Sequence, residues 1–442
     1  MQTAADMDPK TNFLLLPPAE SFQPVAGGSG AADVTINPSS KGQTMDGAGA
    51  ALTDSSAIVL SQLKKSNAGT YQKTLQELFN PATGLTLLRV PIGATDFSKE
   101  AYTLAEKANG KNTAAMEKAF DFKKADMTLS VLMDIMKIQP RLKVVLTSWS
   151  APGWMKSSNS LNGGSLANGM QDVYAAYLAA AVKAYGKKGV SIWALTVQNE
   201  PGFAATYPSM IVQPKEEGEI AGKIKKNLGN NKVKVFVHDH NFDTWEKARE
   251  AAQSNAKDVD GVAFHCYAGN PSLVGQLVGS LKGKEIHMTE CSATVPKSGM
   301  WEGMTWWLDN LMFGLPQHGV RSIISWNLAL DDKNGPTLPT ATCKDCQGAI
   351  TVSGGKSVTK NFVFYFSQHF AAAVNGGAAR VGAKVSEAQK KCIKSDAYVA
   401  GTSVRILLEN SCPQAAPLTI SIGQKTGKYN AKPGLHTLIV SA

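Results

Sequence analysis

The chain predicts an α/β fold, a (β/α)₈ TIM barrel with an appended antiparallel β-sandwich side domain, on three observations. From about residue 44 to 330, eight short apolar runs alternate with amphipathic helical stretches. Several of these runs are apolar nearly throughout, as parallel strands buried on both faces must be. In residues 349–442 the pattern changes to period two, as in SDAYVAGTSVRILLEN and APLTISIG, with turn residues between. That is the pattern of antiparallel β.

The expected barrel strands are 45-MDGAGAAL-52, 85-LTLLRVPI-92, 143-KVVLTS-148, 191-SIWALTVQ-198, 233-VKVFVHD-239, 259-VDGVAFH-265, 285-EIHMTE-290 and 320-VRSIISWN-327. The first contains GAGAAL, which resembles a dinucleotide fingerprint, but Leu52 stands at the third glycine position and no acidic residue follows at the required spacing. Its glycines are read as a tight turn at a strand end. The second run holds Arg89 among apolar neighbours, so the guanidinium needs a partner, and Glu290 is the expected one. Asp96 and Phe97 lie just beyond it. The third run leads into 147-TSWSAPGWMK-156 with Trp149 and Trp154. The clearest helix follows at 171–185, where Val173, Tyr177, Leu178, Ala181, Val182 and Tyr185 repeat at helical spacing and Gly186 is the expected cap.

The fourth and seventh runs end on glutamates, in 193-WALTVQNEP-201 and 286-IHMTECSA-293. Glu200 stands between Asn199 and the strand-stopping Pro201. Glu290 follows His287 and Thr289 and precedes small residues that leave room for a ligand. Two carboxyls at the ends of different strands of one sheet can address the same bond. Hydrolysis of a glycosidic linkage needs such a pair, one to protonate the leaving oxygen and one to attack or to activate water. Coupling to an ionised Glu290 is expected to raise the Glu200 pKa. His265 and Tyr267 close the sixth run, and Trp326 and Asn327 the eighth. Indole faces at one rim suit sugar rings, whereas Trp193 and one of Trp306 and Trp307 are expected in the core.

Composition narrows the class. Apolar content of 43% against 18% charged residues belongs to a well-buried globular protein. No apolar run reaches the length of a membrane span, so no stable membrane insertion is expected. The start, MQTAADMDPK, has no apolar signal core, and a signal already removed is compatible with it. The net charge of +10 comes largely from lysines on helix faces and loops, without the aromatic interleaving of a nucleic-acid groove. A solvated basic surface is the reading, with no nucleic-acid partner. Of six cysteines, Cys343–Cys346 and Cys392–Cys412 are the preferred disulfides, with Cys266 and Cys291 free. Two disulfides favour an extracellular setting. The expected units are 1–43, adding strands to the side domain, 44–348, the barrel, and 349–442, the sandwich.

The strings GAGAALTDS, RVPIGATDFS, TSWSAPGWMK, VQNEP, AFHCY, TECSA and WNLALDDKNGP, in this order, resemble glycoside hydrolase family 30. The resemblance runs from about residue 40 to 370. It implies a retaining β-glycosidase with Glu200 as acid/base, Glu290 as nucleophile and Asn199 holding the sugar 2-hydroxyl. It further implies Arg89, Asp96, Trp149, His265, Tyr267 and Trp326 around the sugar next to the scissile bond. Cys266 stands where the family often has tryptophan. The string 346-CQGAIT-351 after a cysteine-bearing loop is similar to fungal endo-β-1,6-glucanases of the family. The expectation is thus a secreted, monomeric, cofactor-free and metal-free enzyme whose partner is a polysaccharide. Glucosylceramide, xylan and β-1,6-galactan are the rival substrates, and a non-catalytic carbohydrate-binding protein is the rival of another class. Retention requires the two carboxyls to lie about 5–5.5 Å apart.

Overall fold

The computed structural model describes residues 2–4, 14–16, 23–25, 31–108, 111–297 and 299–441, the first three segments as backbone strands alone. Eight parallel strands close into a barrel: β1 (Gly47–Ala51), β2 (Leu87–Pro91), β3 (Lys143–Thr147), β4 (Ile192–Thr196), β5 (Lys234–Asn241), β6 (Gly261–His265), β7 (Glu285–Glu290) and β8 (Val320–Asn327). Each lies within its expected run, except that β5 continues two residues further, to Asn241. β8 pairs with β1 and completes the circle.

Period two along each strand sets the layers inside the barrel. Leu87, Val145, Ala194, Phe236, Ala263 and Ile324 form one apolar layer, with Trp193 packed against it. Two residues further along β2, β3, β4, β6 and β8 stand Arg89, Thr147, Thr196, His265 and Trp326. A polar layer therefore rests on an apolar one, about 6–7 Å higher. β5 departs from this period. His238 and Asp239 both have positive φ, 79° and 43°, and the pairing with β6 shifts register between Ala263 and Phe264. The bulge brings Asp239 into the polar layer.

Three expectations change in the structure. The glycines of GAGAAL lie within β1, not at a turn: a Cβ at Gly49 would meet the Leu87 carbonyl oxygen of β2 at 2.6 Å. The helix Gln171–Lys187 runs past Gly186, and the positive φ that ends such a helix falls at Gly189. Within the stretch read as β, Phe362–Val374 is a helix buried along its whole length. It packs on β1 and also on three side-domain strands, so it is apolar on every face and shows no helical stripe.

The side domain has two sheets. One orders Ala379–Arg380, Ile393–Ala400, Ser403–Asn410, Gly434–Ser441, Gln2–Ala4 and Leu14–Leu16. The other orders Lys384–Val385, Val34–Ile36, Ala416–Ile422, Lys425–Ala431 and Gln23–Val25. Val34, Ile36, Ile406, Leu418, Ile420 and Tyr429 are among the core residues they share. Phe13 of the N-terminal FLLL run lies outside the described residues. No helix among the described residues is long and apolar enough to cross a membrane.

Three disulfides are present: Cys343–Cys346, Cys392–Cys412 and Cys266–Cys291. The last corrects the expectation of two free thiols. Cys266 follows β6 and Cys291 follows β7, and these neighbouring strands bring their Cα atoms to 5.2 Å.

Candidate active site

Arg89 is fully buried at the centre of the polar layer. Its Nη2 donates to Asp239 Oδ2 at 2.9 Å and to Asn199 Oδ1 at 2.7 Å, and its Nη1 to Glu290 Oε2. Asp239 also accepts from Thr196 Oγ1 at 2.8 Å and from Thr289 Oγ1 at 2.5 Å, and its Oδ1 lies 3.1 Å from His265 Nε2. A buried carboxylate with this many donors is fully satisfied. Burial raises the Asp239 carboxyl, but Arg89 and then His265 outweigh it and hold the group below the carboxylate range.

Glu200 lies four residues past β4 with φ of 46°, a left-handed conformation a non-glycine residue adopts only where its surroundings impose it. Its N–H donates to the Asp239 carbonyl at 3.0 Å, which fixes that turn. Glu200 Oε1 lies 3.1 Å from His265 Nδ1 and 3.8 Å from His240 Nδ1. Glu290 closes β7, and its Oε1 accepts from the Tyr267 hydroxyl at 2.7 Å.

The electrostatics around Glu200 differ from expectation. Burial pushes its carboxyl up, but the hydrogen bond and charge of His265 outweigh burial and hold it below the ordinary value. Burial pushes His265 down, but the Glu290 charge and hydrogen bonds to Asp239 and Glu200 lift it from 6.5 to about 9. In the free enzyme the pair's proton therefore resides on the imidazole. Asp96 goes the other way: burial, then the Glu290 and Glu200 charges, raise it from 3.8 to about 8, so near neutrality it is a protonated donor.

Asp96, Trp149, Asn199, Glu200, Tyr267, Glu290 and Trp326 line one cavity of about 390 Å³. Arg89 and His265 stand behind it and hold the two glutamates. All nine residues singled out in the sequence thus converge. Trp149 and Trp326 stack on each other at 5.3 Å between centroids, and the Arg89 guanidinium lies 4.7 Å from the Trp149 ring. Both indoles are nearly buried, so they wall the cavity and hold the cation. His287 is elsewhere, at the opposite end of β7, paired with Ser322 Oγ at 2.8 Å. Sequence reasoning passed over Asp239, His240, Phe203 and Tyr207, and it noted the loop bearing Cys343 and Cys346 only for its resemblance, whereas both cysteines line the cavity. An aspartate ending the apolar run VKVFVHD was the one available signal.

Glu200, His240 and His265 bring possible metal-ligand atoms within 4.8 Å of one another. Both His265 nitrogens face carboxylates, and as an imidazolium it has no lone pair for a cation.

The barrel has relatives among known proteins. Residues 45–374 match the glycosyl hydrolase family 30 TIM-barrel domain. An endo-1,6-β-D-glucanase of Aspergillus fumigatus is 30% identical over 78% of this chain and 74% of its own. One from Trichoderma harzianum is 29% identical over 76% of this chain and 71% of its own. The solved endo-β1,6-glucanase BT3312 superposes with a TM-score of 0.84 at 25% identity, covering 92% of this chain and 93% of the other. With its barrel, its side sheets and this match over most of its length, the chain belongs to glycosyl hydrolase family 30 and is a glycosidase.

Proposed function

We propose that this glycosidase cleaves β-1,6-glucan internally, by double displacement, with Glu290 as nucleophile and Glu200 as acid and base. The observation that carries the reading is the pair of glutamates lining one cavity, each held by its own partners: Glu290 by the buried Arg89 and the Tyr267 hydroxyl, Glu200 by the buried His265. The linkage is argued from the relatives, which are endo-1,6-β-D-glucanases.

Glu290 Oε1 or Oε2 attacks the anomeric carbon as the glycosidic oxygen leaves with a proton from Glu200. That proton comes from His265 Nδ1. Substrate filling the cavity buries Glu200 further, which raises the carboxyl and draws the proton across the 3.1 Å contact. Esterification then removes the Glu290 charge. Glu200 next takes a proton from water, the hydroxide oxygen displaces Glu290 from the sugar, and the proton returns to the pair. Asn199, oriented by Arg89, is placed to meet the 2-hydroxyl, and Asp96 donates to another.

A pH dependence follows. Activity on the alkaline side should fall through about 9 as the pair loses its proton, and the limb should move to lower pH in His265→Gln, where Glu200 titrates alone. Stability should follow the same group. Its folded value lies above the ordinary one, so its contribution is complete below about 6.5 and lost as pH rises through about 9. Urea midpoints measured across that window should fall in the wild type and stay flatter in the variant. Equal profiles would remove His265 from the scheme.

Pustulan, a linear β-1,6-glucan, tests the substrate. A ladder of short oligosaccharides growing with time supports the endo-acting reading, and glucose alone contradicts it. Release from glucosylceramide, xylan or β-1,6-galactan, with none from pustulan, would assign the same chemistry to another chain. We infer in addition a secreted monomer, the secretion on the strength of the three disulfides. As units of the chain we propose 1–43 and 349–442 around a barrel at 44–348, with the helix Phe362–Val374 shared between barrel and side domain.

A further inference from the structure

We propose that a second depression, beside the Glu200–Glu290 cavity and bearing Trp306, is a binding site for further sugar units of the same β-glucan chain. The inference rests on the substrate reading above. The depression holds about 400 Å³. Tyr267, Ser292 and Thr294 line both it and the cavity of the two glutamates, so the two lie side by side across these residues. A polymer cut internally must lie beyond the reacting sugar, and this depression lies on the Glu290 side.

The chemistry of the lining fits a sugar. Trp306 is 43% exposed, whereas Trp307 beside it is 4% exposed and packs edge-on against Phe362 and Phe366. Trp307 supplies the core, so the fold does not need the second indole. An open indole offers an apolar face to the axial hydrogens of a pyranose. Lys297, Glu302 and Asp345 stand around it as partners for hydroxyls. This combination does not suit an apolar partner, which would leave those three charges unpaired.

The depression is also preformed. Cys266–Cys291 forms part of its wall and ties the ends of β6 and β7 together. Ala293–Thr294 pairs with Cys346–Gln347 as a two-stranded ribbon, and the Val295 N–H donates to the Asp345 carbonyl at 2.9 Å. The second chain of that ribbon is closed by Cys343–Cys346. Two of the three disulfides therefore hold the ridge shared by both depressions. A fixed ridge reduces the ordering cost of binding a flexible chain.

The test compares wild type, Trp306→Ala and Trp306→Phe on β-1,6-gluco-oligosaccharides of increasing length and on a small aryl β-glucoside. In Trp306→Ala, KM should rise about tenfold for long chains while kcat stays within about twofold, the size expected from losing one stacked ring. The aryl glucoside, too short to reach Trp306, should be turned over unchanged, which also reports that the variant is folded. Trp306→Phe should recover most of the loss. An active wild type whose variants show no length dependence overturns this inference alone. A wild type inert on every β-1,6-linked chain overturns the substrate reading and the inference with it.

Discussion

Glu290→Gln should lower kcat on pustulan by ~10⁴-fold or more, because in the proposed mechanism Glu290 is the carboxylate that forms the glycosyl ester. The variant keeps the side-chain shape and an oxygen for the Tyr267 hydroxyl, and Arg89 still has Asp239. The loss should therefore be chemical, with the urea midpoint changed far less than the rate. Glu200→Gln should behave differently. It should lose activity on glucan yet keep much of its first-step rate on an aryl glucoside whose leaving group needs no proton. Azide separates the two roles. With Glu290→Gly, azide attacks the anomeric carbon once and gives the α-glycosyl azide. With Glu200→Gly, it attacks the enzyme ester and gives the β-glycosyl azide. The opposite assignment of products would exchange the two glutamates, and a Glu290→Gln enzyme within tenfold of wild type would remove it from the chemistry.

Arg89→Met should be the most damaging substitution for stability. It removes the cation that Asp239 and Glu290 share at the centre of the barrel, where all three side chains are buried or nearly so. Breaking a buried pair from one side costs about 3–5 kcal/mol, since the remaining charge has no water to turn to. The pH dependence identifies the cause. Arg89 helps hold the Asp239 carboxyl below its ordinary 3.8, so that stabilisation is present above this value and lost as pH falls. The gap between wild type and variant should be widest near neutrality and narrow in acid. Arg89→Lys should recover part of the stability but not the fork to Asn199 and Glu290, and hence little activity. A gap independent of pH would mean that packing against Trp149, not charge, is what the arginine supplies.

Much of the barrel could be read from the sequence because the strands are apolar runs, six of the eight stopping at a polar residue. Glu200 and Glu290 stood out at two such stops, and Arg89 stood out as a charge inside a run. What escaped depends on geometry between strands. Asp239 enters the site through a bulge with two positive-φ residues, which a strict period of two assigns to the other face. Cys266 and Cys291 lie 25 residues apart and meet only because β6 and β7 are neighbours. The direction of the Glu200 shift depended on His265 Nδ1, 3.1 Å away, and not on the Glu290 charge from which it was argued. Phe362–Val374 hid its helical period because both of its faces are buried.

The anomer first released from pustulan is the most direct test of the central proposal. Proton NMR taken in the first minutes of hydrolysis, before mutarotation, reads the new reducing end. Two displacements at one carbon, the first by Glu290 and the second by water activated by Glu200, predict β-anomeric signals first, with α appearing only as mutarotation proceeds. Initial α signals would mean a single displacement, with Glu290 acting on water and never bonded to the sugar.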